Sequence, residues 1–207
     1  MLTKKKNFLF LILLSFLFPA QGQGEDFGMK ALGWGMTLED LNRVYQEKVN
    51  PGAALRADLS IYEIELQVSP NKTMKIPRGF LTVIQETTRE AAPGAVGKPF
   101  GYLWEGKFFG RVVLFANLTG QSRTQVARDL KARYPEGRLF HKFSGGSMIT
   151  DFELNADKMT IFTNERGVYF YEPDVLKRVI REEGRNIQDR EYREGERLFQ
   201  ERGKSPI

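Results

Sequence analysis

Glu63 and Glu65 stand two positions apart in a run where Tyr62, Ile64, Leu66 and Val68 alternate with Glu63, Glu65 and Gln67. On a strand this spacing sets both carboxylates on one side, about 6 to 7 Å apart. Such a separation suits two-carboxylate glycoside hydrolysis or a weak Ca²⁺ site. Asp151 and Glu153 repeat the arrangement. Alternating charge on the solvent side of an antiparallel sheet gives the same pattern without chemistry, and that reading is preferred for both pairs. His141 is the single histidine. A general base needs an orienting acceptor and a nearby nucleophile, and the sequence supplies neither, so His141 reads as an ordinary strand residue. One histidine and no cysteine leave no donor set for a transition metal, and no metal or cofactor is expected.

No Gly-x-Ser-x-Gly nucleophile elbow occurs, and Ser144-Gly145-Gly146-Ser147 reads as a hairpin turn. Gly33-Trp34-Gly35 lacks the lysine of a phosphate loop. Aromatic residues are denser than any polar motif. Phe100, Tyr102, Trp104, Phe108 and Phe109 surround one predicted hairpin, and Phe162, Tyr169, Phe170 and Tyr171 lie near another. If one sheet face is open, Tyr102, Trp104 and Phe109 are the residues that would bind an apolar ligand, a peptide or a glycan. The preferred alternative is a core on both faces, with helices over one and the C-terminal segment over part of the other.

The elements that would position these groups follow from periodicity. Phe27 to Trp34 reads as an extended entry, and Thr37 with Asp40 predicts a helix start. Leu38, Leu41, Val44 and Tyr45 form its apolar face, and Asn50-Pro51-Gly52 ends it. Strands are predicted from Leu59 to Val68, Gly79 to Gln85, Phe100 to Glu105 and Phe108 to Asn117. The last is apolar on both sides, which places it centrally. Ser122 and Gln125 start a second helix that ends at Pro135, with Val126, Ala127, Leu130 and Tyr134 as its stripe. Four short strands follow: Leu139 to Phe143, Met148 to Leu154, Lys158 to Thr163 and Val168 to Tyr171. Pro173 then opens a last helix, which docks through Val175, Leu176, Val179 and Ile180 and frays into a charged tail beyond Arg181. The two halves each hold a helix and a set of hairpins, without a residue-by-residue alignment.

The fold class expected is α+β: an antiparallel meander of about six to eight strands packed against two helices, with a charged C-terminal helix. The domain reading is a signal peptide over 1–20, one α+β domain over 21–183 and a charged helical or disordered tail over 184–207. Lys4, Lys5 and Lys6 precede an apolar run from Phe8 to Phe18, followed by Pro19-Ala20. That order is the pattern of a secretory signal and is too short for a span. The chain carries 31 basic and 26 acidic residues, net +5, and loss of the three signal lysines leaves 28 against 26. So balanced a charge gives no argument for nucleic acid. The absence of cysteine excludes disulfides and a lipid-modified anchor.

Leu32-Gly33-Trp34-Gly35-Met36-Thr37, then Tyr102-Leu103-Trp104-Glu105-Gly106-Lys107-Phe108 and a helix ending in Tyr134, resembles small exported bacterial proteins of unknown function. Gly35-Met36-Thr37 with Leu41 is also similar to the helix start of the small outer-membrane-assembly lipoproteins, from which the missing cysteine departs. The resemblance implies an envelope location and no particular activity. The expectation is therefore a soluble, periplasmic or secreted protein, non-enzymatic, that binds an envelope protein or a small ligand, without nucleic acid and without a membrane span in the mature chain. The alternative is a periplasmic hydrolase working through carboxylates such as Glu63 and Glu65.

Overall fold

The structure, a computed structural model, describes residues 27–202 apart from 62, 78, 93–94 and 119–121. The predicted signal peptide, its cleavage point and Tyr62 lie outside the described residues. The elements run α1 (Leu38–Lys48), β1 (Ala53–Asp58), β2 (Glu63–Ser69), β3 (Lys72–Pro77), β4 (Leu81–Thr88), β5 (Lys98–Trp104), β6 (Lys107–Leu114), a 3₁₀ turn (Phe115–Asn117), α2 (Arg123–Arg133), β7 (Arg138–Ser144), β8 (Ser147–Ala156), β9 (Met159–Thr163), β10 (Gly167–Tyr171) and α3 (Pro173–Arg202). Eight strands form one antiparallel sheet in the order β1-β4-β5-β6-β10-β9-β8-β7, while β2 and β3 form a separate hairpin. This is an α+β architecture, as the periodicity implies.

The strand order divides the sheet into two like units. Each begins with a helix, continues through four strands in sequence and ends on the strand that meets its counterpart, β6 against β10, at the centre. The β2–β3 hairpin is an insertion in the first unit. Both helices have 11 residues and begin at a hydroxyl cap: the Thr37 hydroxyl accepts from the Asp40 amide and the Ser122 hydroxyl from that of Gln125. In each unit four residues, 49–52 and 134–137, link helix to strand. The twofold arrangement thus appears in topology and spacing, where side-chain identity does not reveal it.

Alternation along the strands buries both faces. On one face α1 brings Leu41, Val44 and Tyr45 to Leu55, Ile84, Phe100 and Phe108. On the same face α2 brings Val126, Ala127 and Leu130 to Phe152, Ile161, Val168 and Phe170. Phe27, Met29 and Leu32 of the entry segment are buried here too. That segment is a turn and not extended, because Phe27 and Gly28 take φ of 54° and 81° and the Gly28 carbonyl accepts from Ala31 and Leu32. On the opposite face Ile64, Leu66, Val68 and Ile76 of the β2–β3 hairpin, with Leu176 and Val179 of α3, cover Tyr102, Trp104, Phe109, Val112, Phe162, Tyr169 and Tyr171.

Three elements differ from the sequence expectation. β1 begins Ala-Ala-Leu and shows no alternation, so nothing local marks it as a strand. β3 is rich in lysine and threonine and becomes a strand by pairing with β2. α3 continues through Gly184 to Arg202 instead of fraying near Arg181. Among the described residues no helix is long and apolar enough to cross a membrane.

Candidate docking edge

Among the described residues, packing leaves the β7–β8 hairpin open. β8 pairs with β9 only over Glu153–Ala156, so the segment from Ser147 to Phe152 has β7 as its sole strand neighbour and the hairpin projects past the sheet. Its turn, Gly145-Gly146, has φ of 58° and 79°, the left-handed pair that a two-residue turn of matching twist requires. Near the tip Phe143 lies opposite Met148, and the two are 81% and 63% exposed. Phe140 is 47% exposed. Phe143 and Met148 thus form an exposed apolar pair on one face of the hairpin, and Phe140 stands on the other face of edge strand β7.

The hairpin is clamped at its base. The Phe152 amide donates to the Thr163 hydroxyl at 2.8 Å, and the Thr150 amide donates to the Thr124 hydroxyl at 3.2 Å. Asp151 accepts from the Thr163 hydroxyl at 3.2 Å and is flanked by the Arg123 guanidinium at 2.5 Å and the Lys142 ammonium at 3.1 Å. The Asp151 and Arg123 side chains are nearly buried, so removing either would leave a buried charge without its partner, which is costly. Residues at the start of α2 thus fix the direction in which β7 points.

Sites expected from sequence fall elsewhere. Glu63 and Glu65 both project outward from β2, yet each has a cation: Lys75 lies 2.8 Å from Glu63 and Arg166 lies 3.3 Å from Glu65. Asp151 belongs to the clamp, and Glu153 accepts from Asn155 at 2.9 Å. His141 Nδ1 is 3.1 Å from the Thr150 hydroxyl across the strand pair. Tyr102, Trp104 and Phe109 are 8%, 5% and 1% exposed, and offer no open binding face. The physical reason is the β2–β3 hairpin, an insertion whose second strand the periodicity did not reveal and which closes this face together with α3. Arg178 of α3 stacks over Trp104 at 4.7 Å, while Asp174, one turn earlier, is engaged by Lys177 at 3.4 Å.

Two polar features remain. Arg111, on central β6, is buried at 3% exposure, donates to the Phe100 and Val112 carbonyls at 2.9 and 3.1 Å, and lies 3.7 Å over the Phe100 ring. Burial pulls its guanidinium down to about 10, against the opposing influence of Tyr45 and Glu86. A cleft of 560 Å³ lies between the α1–β1 link, β4 and the β4–β5 loop, lined by Asn50, Glu86, Val96 and Lys98 among others. Its Asn50 amide donates to Glu86 at 3.1 Å. Among the described residues no group of three His, Asp or Glu side chains is placed to hold a metal ion.

Phe140, Phe143 and Met148 belong to strands the sequence predicts, but to none of the sites it suggests. The available signal was Phe140 and Phe143 three apart on one strand, which puts an aromatic ring on each face of β7. A strand buried on one side supports only one of them. Compared with known proteins, the chain matches no family model, no curated protein and no solved structure.

Proposed function

We propose that the chain is an exported, non-enzymatic envelope protein that works by docking, with the projecting β7–β8 hairpin as its contact element. The observation that carries the reading is the exposed set of Phe140, Phe143 and Met148 on a hairpin anchored at its base by the Asp151 clamp. A pre-oriented apolar tip loses little side-chain and loop freedom on binding. Export rests on the Lys4-to-Ala20 pattern, and the Gly35-Met36-Thr37 helix start, similar to that of the outer-membrane-assembly lipoproteins, supports the same compartment. The hydrolase reading gains no support, because Glu63 and Glu65 are exposed, each beside its own cation.

The test is a photo-crosslinking side chain at position 148, compared with one at Leu59, which is exposed on the β1–β2 link. In cells, the docking reading expects a discrete adduct from position 148 that vanishes when Phe143→Lys is added, and none from position 59. No adduct from position 148, or an equal one from position 59, overturns it. Mass spectrometry of the envelope fraction checks export, which requires a chain that begins near Gln21.

A further inference from the structure

Resting on that docking reading, we infer that the occupant of the β7 edge is a second copy of this chain, paired antiparallel through β7 about a twofold axis at His141. The backbone sets the register. A two-residue turn makes Ser144 and Ser147 a hydrogen-bonded pair, so by alternation Lys142, Phe140 and Arg138 also point their amides toward β8. Leu139, His141 and Phe143 then point their amides away from β8, to the side on which no described strand pairs with β7. An incoming strand must present the same kind of residue opposite them. Centred on His141, β7 meets this condition with itself: Leu139 faces Phe143 of the second copy, His141 faces His141, and about six backbone hydrogen bonds form.

Side chains agree with that register. Leu139 against Phe143 buries two apolar groups on one face, and on the other Phe140 lies against Lys142, a cation–π pair. Arg138 falls opposite Ser144, so no two like charges stand directly across. The charge that ordinarily guards an edge is muted, because Lys142 is already held by Asp151 at 3.1 Å.

The other end of the sheet shows what a sealed edge looks like here. On β1 the Leu55 amide donates to the Asn42 side chain of α1 at 2.9 Å, which removes an edge donor. In the second unit, among the described residues, no side chain bonds to an amide of β7. Edge pairing would also repeat the device at the molecule's centre, where the two units join by β6 against β10. The result is a continuous sixteen-stranded sheet, twice the eight of one chain.

One strand pair and its flanking aromatics form a small contact, in the size class of weak, transient interfaces. Sedimentation equilibrium of the mature chain from about 1 µM to about 1 mM should show the mass rising twofold, and Phe143→Lys should hold it at one chain. The cysteine-free background permits a register test. Cα atoms of a hydrogen-bonded antiparallel pair lie about 5.5 Å apart, within disulfide reach. Mild oxidation should therefore crosslink the His141→Cys chain into a covalent dimer, while Ser144→Cys, opposite Arg138, stays single. A wild-type mass of one chain throughout, or equal crosslinking at both positions, overturns self-pairing. An adduct at position 148 with a different protein overturns it too but upholds the docking reading, whereas no adduct there sinks both.

Discussion

Tyr45, Tyr102, Tyr169 and Tyr171 are at most 8% exposed, and burial, the leading cause for each, pushes all four phenols above their ordinary value of 10. A phenol with a raised folded pKa keeps its proton in the native state while the unfolded chain releases it. Its stability is therefore whole below about pH 10 and is lost as pH climbs beyond that point. Arg111 acts in the opposite sense, since its guanidinium is pulled down, but it is one group against four. Alkaline titration is expected to unfold the protein from about pH 10 upward, with the phenolate absorbance of these four rising together with loss of the far-ultraviolet dichroism. Smooth ionisation of all seven tyrosines with the fold intact would contradict it. Arg111 stands among the apolar residues of β6, on the central strand. It is tolerated there because two carbonyls and an aromatic face satisfy most of the guanidinium.

At the scale of elements, the helices and hairpins differ in how locally they are written. Thr37 and Ser122 cap their helices by their own hydroxyls, and Gly106 and Gly145-Gly146 take the positive φ their turns need, so these features were legible in a few residues. β2 and β3 are another matter, because what makes them matter is the sheet face they cover. Leu66 is fully buried between that hairpin and the sheet. Leu66→Ala should cost about 2 to 5 kcal/mol in urea unfolding, as expected for a truncated core leucine. Phe143→Ala, at 81% exposure, should change stability by no more than about 0.5 kcal/mol. A large loss from the second change would give Phe143 a folding role and weaken its reading as a docking group.

The whole molecule joins two like units through a single sheet, and on the face under α3 Tyr102, Trp104 and Phe109 of the first share one cluster with Phe162, Tyr169 and Tyr171 of the second. Trp34 and Trp104 report on opposite faces. Trp34 donates to the Lys158 carbonyl at 3.1 Å and lies 5.4 Å from Phe108 on the helix face, while Trp104 sits under α3. Fluorescence of Trp34→Phe and of Trp104→Phe should each unfold at the same denaturant midpoint as that variant's own dichroism, in one cooperative transition. Separated midpoints would show the two faces melting independently.

The lack of cysteine is read from composition, and the α+β class and both capped helices follow from residues close together in the chain, where propensity and alternation act locally. The burial of Tyr102, Trp104 and Phe109, the engagement of Glu63 and Glu65, and the exposure of Phe140, Phe143 and Met148 do not. An apolar residue on a strand is core or contact according to what lies over it, and that covering element comes from elsewhere in the chain: the β2–β3 insertion and α3 for the first set, nothing within the described chain for the tip of the last. Pairing of β6 with β10 leaves β7 at the rim, and this placement, decided only by the assembled sheet, makes an ordinary hairpin an edge of the described sheet.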